Sequence, residues 1–348
     1  MRQSTMRAAR FTTATRELTV ATVPIPKPGV GEVLVRVKAC GICLSDVHLV
    51  DGTLQSPLDV VTPGHESAGV VEGVGPNVPH WRAGQRVVMC GGKPCGVCIT
   101  CAGGRPAECV DFHIMGFHYD GAWAEYVVVP SSSLSEVPDH VPFEQAAILA
   151  DAVSTPYAGL TASGRLKPGE SVGLWGIGGL GVHAVQIARM AGASLVVAVD
   201  PNAAARERAL ALGADVAIDP AAADVRAEVR RHTNGLGLDL AVDLVGANAV
   251  LAQAASTIGR FGRVVMVGLS PEPIRLGPGV LFGTRSQSLV GHLGYEQRHL
   301  DELVTLVGTG RLDVSRSVSD VLPLEEVARG VERLACKEGN PIRLVVRP

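Results

Sequence analysis

The chain has 348 residues, of which 47% are hydrophobic and 19% charged, with a formal net charge of −3. That length suits two domains of ordinary size, and the apolar content supplies a buried core, which argues against general disorder. A weakly negative chain gives no electrostatic basis for nucleic acid or an anionic membrane as partner; no uncharged apolar run reaches the ~18 residues of a spanning helix, and the first ten residues lack the apolar core of a secretory signal.

The first part of the chain reads as β-rich. Residues 33–37 form a β-branched run after the turn Lys27-Pro28-Gly29. Similar runs at 69–75, 85–89 and 125–129 are bounded by Gly and Pro. Many short strands between such turns predict a compact, irregular β domain. The pattern changes near Asp151. Residues 171–175 form a short apolar strand, 182–191 carry helical spacing, 195–200 form another strand, and 206–212 form a helix that stops at Gly213. Strand-like runs recur at 239–245 and 263–267. Strands alternating with helices predict a parallel sheet with crossover connections. The tail returns to a helix at 300–307 and a strand at 342–346. The expected division is a first domain over 1–153, completed by 295–348, and a second over 154–294.

Three groups of residues carry chemistry. Cys95, Cys98, Cys101 and Cys109 are spaced as C-x2-C-x2-C-x7-C. Four thiolates so close suit a tetrahedral Zn2+ with no open coordination position, a structural site. Tight spacing in a long chain without a signal reads as metal binding in a reducing cytoplasm rather than as a disulfide framework. His113 and His118 lie near this loop but are surplus to a site that four thiolates saturate, and Cys40, Cys90 and Cys336 read as small packing residues.

Gly176-Ile177-Gly178-Gly179-Leu180-Gly181 matches G-x-G-x-x-G between a strand and a helix. The glycines allow a tight turn and close approach of a pyrophosphate, and the helix N-terminus favours its charge. Asp200 ends the next strand, where a carboxylate accepts hydrogen bonds from an adenosine ribose and repels a 2′-phosphate. NAD is therefore expected over NADP, with Arg206 the one nearby residue that pulls the other way.

The third group is scattered: Cys43, Ser45, Asp46 and His48, then Gly64-His65-Glu66, then Asp151. Singly each has an ordinary reading: Cys43 as a small buried residue, His65-Glu66 as a turn pair, Asp151 as a helix cap. Beside a nucleotide fold, one thiolate, one imidazole and one or two carboxylates suit a catalytic zinc with room for substrate.

These motifs, together with Asp120-Gly121-Ala122-Trp123-Ala124-Glu125-Tyr126, resemble the zinc-dependent medium-chain alcohol dehydrogenases over essentially the whole length. Asp151 stands where many relatives have a second Cys ligand, as in the bacterial secondary alcohol dehydrogenase branch. The resemblance implies an α/β protein, with a GroES-like catalytic domain, a Rossmann NAD-binding domain and an active site in the cleft between them. It implies two Zn2+ per chain. Cys43, His65 and Asp151 would hold the catalytic one, with Glu66 able to replace substrate or water as fourth ligand. Asp46 would orient His65, Ser45 would take the alcohol proton and His48 would pass it to solvent. Thr155 would contact the nicotinamide end, Val267, Gly268 and Leu269 its carboxamide, and Arg343 the pyrophosphate. Leu44 replaces a basic residue seen in many relatives, so a phosphate contact is lost. The implied reaction is reversible hydride transfer between a secondary or primary alcohol and NAD, giving a ketone or aldehyde, in a homotetramer or homodimer. Polyol or amino-alcohol substrates fit the same site. A zinc-free quinone or enone reductase would not need Cys43, His65 and Asp151, and a nucleic-acid zinc ribbon would need the basic stripe this chain lacks.

Overall fold

The computed structural model describes residues 4–348. Backbone contacts divide them into two units: one runs to Ala152 and resumes at Glu296, and the other spans Val153–Tyr295.

The first unit is organised by the strand Glu32–Ile42. Its valines alternate with Glu32, Leu34, Arg36 and Lys38, so Val33, Val35 and Val37 point to the buried face; from Ala39 to Ile42 every residue is buried. One edge pairs antiparallel with Ser67–Val74. The other edge is shared: residues 32–36 pair with Tyr126–Pro130, and Cys40–Ile42 with the last strand, Arg343–Arg347. The sheet runs Leu134–Glu136, Arg86–Met89, Ser67–Val74, Glu32–Ile42, Arg343–Arg347, Val318–Pro323. A tail strand thus completes an N-terminal sheet, and its pairing sets Arg343 just beyond Ile42, beside Cys43.

The second unit is a six-stranded sheet in the order Val216–Ile218, Leu195–Val199, Ser171–Trp175, Leu238–Asp243, Ile258–Met266, Ser288–Gly291. Every pairing is parallel. The chain order reverses direction between Ser171–Trp175 and Leu238–Asp243, which opens a crevice at their carboxyl ends, where ligands of doubly wound sheets bind. The helices Gly181–Met190, Ala203–Ala211, Val225–His232 and Asn248–Thr257 connect these strands.

The alternation expected for the second domain is present, and the strands Val216–Ile218 and Ser288–Gly291 and the helix Asn248–Thr257 come in addition to the elements expected. The run expected at 239–245 stops at Asp243, because its carboxylate accepts the backbone N–H groups of Val245 and Gly246 (2.9 and 3.1 Å) and folds the chain into a turn. The helix Val225–His232 was not expected: only Val225 and Val229 are buried on it, too thin an apolar stripe to read, and its start is fixed by Asp224 capping Arg226 and Ala227. No helix among the described residues is long and apolar enough to cross a membrane.

The core of the first unit is built around Trp123, which is fully buried with Ile42, Met89 and Met115 and donates Nε1–H to the Gly41 carbonyl (3.2 Å). Trp123 is therefore packing rather than a pocket wall. Its replacement, Trp123→Ala, removes a large buried ring and is expected to lower unfolding stability by about 3–5 kcal/mol, read as a fall in denaturant midpoint with little change in slope.

Candidate metal centre and dinucleotide loop

Cys43, His65 and Asp151 each offer one ligand atom, and the three atoms lie within 4.8 Å of one another. They come from three different devices. Cys43 is the N-cap of the helix Leu44–Asp51, in extended conformation. His65 follows Gly64, whose φ of 96° only glycine adopts comfortably, and a Cβ there would sit 2.6 Å from the Trp123 ring. Asp151 lies in a π-helical turn, Leu149–Val153, a widened turn of the kind often found at functional sites.

The surrounding residues hold this triangle. Asp46 accepts the Cys43 backbone N–H (2.8 Å), and its other oxygen lies 3.4 Å from His65 Nδ1. The opposite ring nitrogen, Nε2, then faces Ser45 Oγ at 3.3 Å and Asp151 at 3.8 Å. Glu66 is fully buried behind them and accepts the Ala152 N–H (3.0 Å). Gly41 has to be glycine, because a Cβ there would lie 2.1 Å from the Glu66 carboxylate. Arg343, expected at a pyrophosphate, is buried in this cluster: Nε is 3.2 Å from Glu66, Nη2 3.4 Å from Asp151, and Nη1 donates to the Ile42 carbonyl (3.2 Å). His48, one turn after Ser45, is partly exposed, with Nδ1 3.4 Å from Asp51.

The electrostatics are those of a cation site occupied by protons. Burial opposes a charged His65, but Asp46 and Asp151 outweigh it and raise its pKa well above the imidazole range. Burial would also raise Asp151, yet His65 and Arg343 hold it well below the usual carboxylate range. Burial, with Asp151 adding to it, lifts the Cys43 thiol. Burial pushes Glu66 up to about 8 against the opposing charge of Arg343. A divalent cation would substitute for the protons on Cys43 and His65. A donor set of one sulfur, one nitrogen and one oxygen suits Zn2+, and three protein ligands leave a position for substrate.

Cys95, Cys98, Cys101 and Cys109 form the second cluster, again with ligand atoms within 4.8 Å. Backbone N–H groups of Cys95 and Asp111 point at the Cys109 sulfur, and that of Cys98 at Cys95 (3.2–3.4 Å), as suits thiolates. The loop has little else to hold it: Val97, Ile99 and Val110 are all exposed. His113 and His118 stack on each other, and His118 accepts the Ile114 N–H, so neither turns to the sulfurs.

In the second unit, the glycine loop has the form a dinucleotide needs. Gly176 has φ 89°, a Cβ on Gly181 would lie 2.1 Å from the Gly176 carbonyl, and a Cβ on Gly178 would meet nothing, leaving open space above the loop. Asp200 is tied to that loop by the Ile177 N–H (2.7 Å) and to its own turn by the Asn202 N–H (2.8 Å). Arg206 is committed to Asp219 (3.1 Å) and to the Asp200 and Pro201 carbonyls. Val267 and Gly268 donate their N–H groups to the Asp243 carbonyl, and Leu269 is exposed. Thr155 is buried, and its carbonyl meets His292, a residue that sequence reasoning did not single out. Phe117 packs its ring 5.7 Å from that of His65, and Leu293 is exposed.

Residues 29–139 match the family described as the alcohol dehydrogenase GroES-like domain, and residues 179–309 that described as zinc-binding dehydrogenase. An alcohol dehydrogenase of Geobacillus stearothermophilus is 35% identical over 337 residues, covering 94% of this chain and 96% of that protein. An L-threonine 3-dehydrogenase of Anaeromyxobacter dehalogenans (strain 2CP-C) is 32% identical over 315 residues, covering 89% and 90%. The solved alcohol dehydrogenase from Thermus sp. ATN1 superposes with a TM-score of 0.91 at 32% identity, covering 98% of this chain and 99% of that one. The first unit is accordingly GroES-like and the second a Rossmann-type sheet.

Two outcomes follow from the two clusters. Because His65 and Cys43 must lose protons to bind a cation, zinc affinity at their site rises with pH through the neutral range; competition with a chelator at several pH values reads this, and a flat profile removes both as ligands. If a metal orders that loop, Cys109→Ser is expected to lower the melting temperature and expose residues 95–112 to proteolysis; unchanged protease resistance would mean that the loop folds without one.

Proposed function

The chain belongs to the zinc-type medium-chain alcohol dehydrogenases and is an oxidoreductase of that family; on that premise we propose that it interconverts a secondary or primary alcohol and the ketone or aldehyde, with NAD and two zinc ions per chain. The observation that carries this is the convergence of Cys43, His65 and Asp151 on one point with Ser45 at its edge. Zinc held by these three residues supplies a Lewis acid that acidifies an alcohol, and NAD supplies the hydride acceptor.

The chain's own side chains do the rest. Ser45 Oγ, beside His65 Nε2, can take the substrate's hydroxyl proton while giving up its own. His48, on the next turn and partly exposed, is the outlet to solvent. Asp46 keeps the Nε2 side of His65 turned to the ligand position. Glu66, buried beside Asp151 and Arg343, is the carboxylate available as a fourth ligand. Asp200, fixed at the glycine loop, supports NAD over NADP, because a 2′-phosphate would meet its charge and Arg206 is already engaged.

Likeness to an L-threonine 3-dehydrogenase favours amino alcohols as the second substrate class. A zinc-free enone reductase is disfavoured by the intact donor triangle. A homo-oligomer, tetramer or dimer, is supported by the edge strand Ser288–Gly291, which among the described residues has a neighbour on one side only.

Ser45→Ala is expected to cut kcat/KM for NAD-linked alcohol oxidation by about 10²–10⁴-fold while two zinc ions per chain remain in dialysed protein. Full activity in protein shown to hold no zinc would sink the proposal, as would full activity in Cys43→Ala.

A further inference from the structure

His292 lies outside every motif, yet it touches both segments that the family resemblance gives to the nicotinamide end of the cofactor, Thr155 and the stretch that begins at Val267. Its backbone N–H donates to the Met266 carbonyl (2.9 Å), one residue before Val267. Its Nε2 is 3.0 Å from the Thr155 carbonyl, and its Nδ1 2.9 Å from Ser163 Oγ. A Cβ on Gly159 would lie 3.4 Å from the imidazole and 3.5 Å from Val267 Cγ2, so the ring packs over a glycine and alongside Val267.

The chemistry of the partners fixes the ring. A carbonyl oxygen only accepts, so Nε2 carries the proton, and in the neutral ring Nδ1 accepts from the Ser163 hydroxyl. Thr155 sits in the short helix Ser154–Ala158, which passes directly into a π-helical turn, Gly159–Ser163. Such a segment is less tightly held by its own hydrogen bonds than a regular helix. The imidazole clips its two ends, Thr155 and Ser163, to the strand end that carries Val267.

We infer that His292 is a positioning residue for nicotinamide binding: it sets the spacing between Thr155 on one wall and Val267–Leu269 on the other without itself meeting the cofactor. The inference rests on the NAD-dependent reading above. It separates two parts of the ligand, because the glycine loop and Asp200, which would take the pyrophosphate and adenosine ribose, follow the strands Ser171–Trp175 and Leu195–Val199, three and four places across the sheet from Ser288–Gly291, the strand that His292 follows.

The test compares NADH with ADP-ribose, which has the same adenosine and pyrophosphate but no nicotinamide. In His292→Ala, NADH binding, read by calorimetry, is expected to weaken about tenfold, the size of one lost buried hydrogen bond, while ADP-ribose binding stays within about twofold of the wild type, the scatter of a surface change. His292→Gln keeps a donor for the Thr155 carbonyl and is expected to recover most of the loss. Ser163→Ala, a milder change that keeps the fold if His292→Ala does not, is expected to weaken NADH selectively by about threefold, at the low end for a hydrogen bond. Equal weakening of both ligands, or of neither, overturns the positioning role, since a merely structural residue would not distinguish them. Wild-type protein that binds ADP-ribose but not NADH would instead overturn the NAD-dependent reading, and the inference with it.

Discussion

Two carboxyl groups buried side by side must either share a proton or face a cation. Glu66 and Asp151 are such a pair, and Arg343 is the cation, itself buried. Removing Arg343 would take away the charge that opposes the burial of both carboxyls, a burial that already pushes Glu66 up to about 8. Burial works against the charge on Arg343, but Glu66, Cys43 and Asp151 together keep it protonated. Much of the first unit serves this arrangement. Gly41 yields its side-chain volume to the Glu66 carboxylate, Trp123 locks the Gly41 carbonyl, and the tail strand pairs with Cys40–Ile42 to bring the guanidinium into place.

The two metal clusters solve opposite problems. At the four cysteines, all donors are thiols from one short loop that has almost no core, and the ligand set leaves no position open. At Cys43, His65 and Asp151, the donors are mixed, come from distant segments and rest on a rigid frame. The first cluster would take its shape from a bound metal. The second has its shape from packing and ion pairs, so its three donors would leave a coordination position open.

What could be read from the sequence follows from this difference. The four-cysteine loop, the glycine turn and Gly64-His65-Glu66 were legible because their chemistry depends on spacing within a few residues. Four of the second domain's six strands were legible because their runs are almost wholly apolar, whereas the short edge strands Val216–Ile218 and Ser288–Gly291 were not. Arg343 was noticed but given to a phosphate, since nothing local says that a residue near the C-terminus faces Glu66. His292 was missed for the same reason, the partners of its ring nitrogens lying more than a hundred positions away in the chain. The π-helical turn at Leu149–Val153 leaves no periodic trace, because five residues are too few to show a period.

The second unit interrupts the first, and this has a consequence for synthesis. Residues 343–347 leave the ribosome only after the whole of 153–295 has been made. Until then Glu66 and Asp151 have no guanidinium between them, and Cys40–Ile42 is an unpaired strand edge. The Rossmann unit, continuous in the chain, can complete itself first, as contiguous domains do. The unit that binds the dinucleotide is therefore finished while the metal site still waits for its counter-ion, and the order in which the chain emerges sets the order in which its two halves become competent.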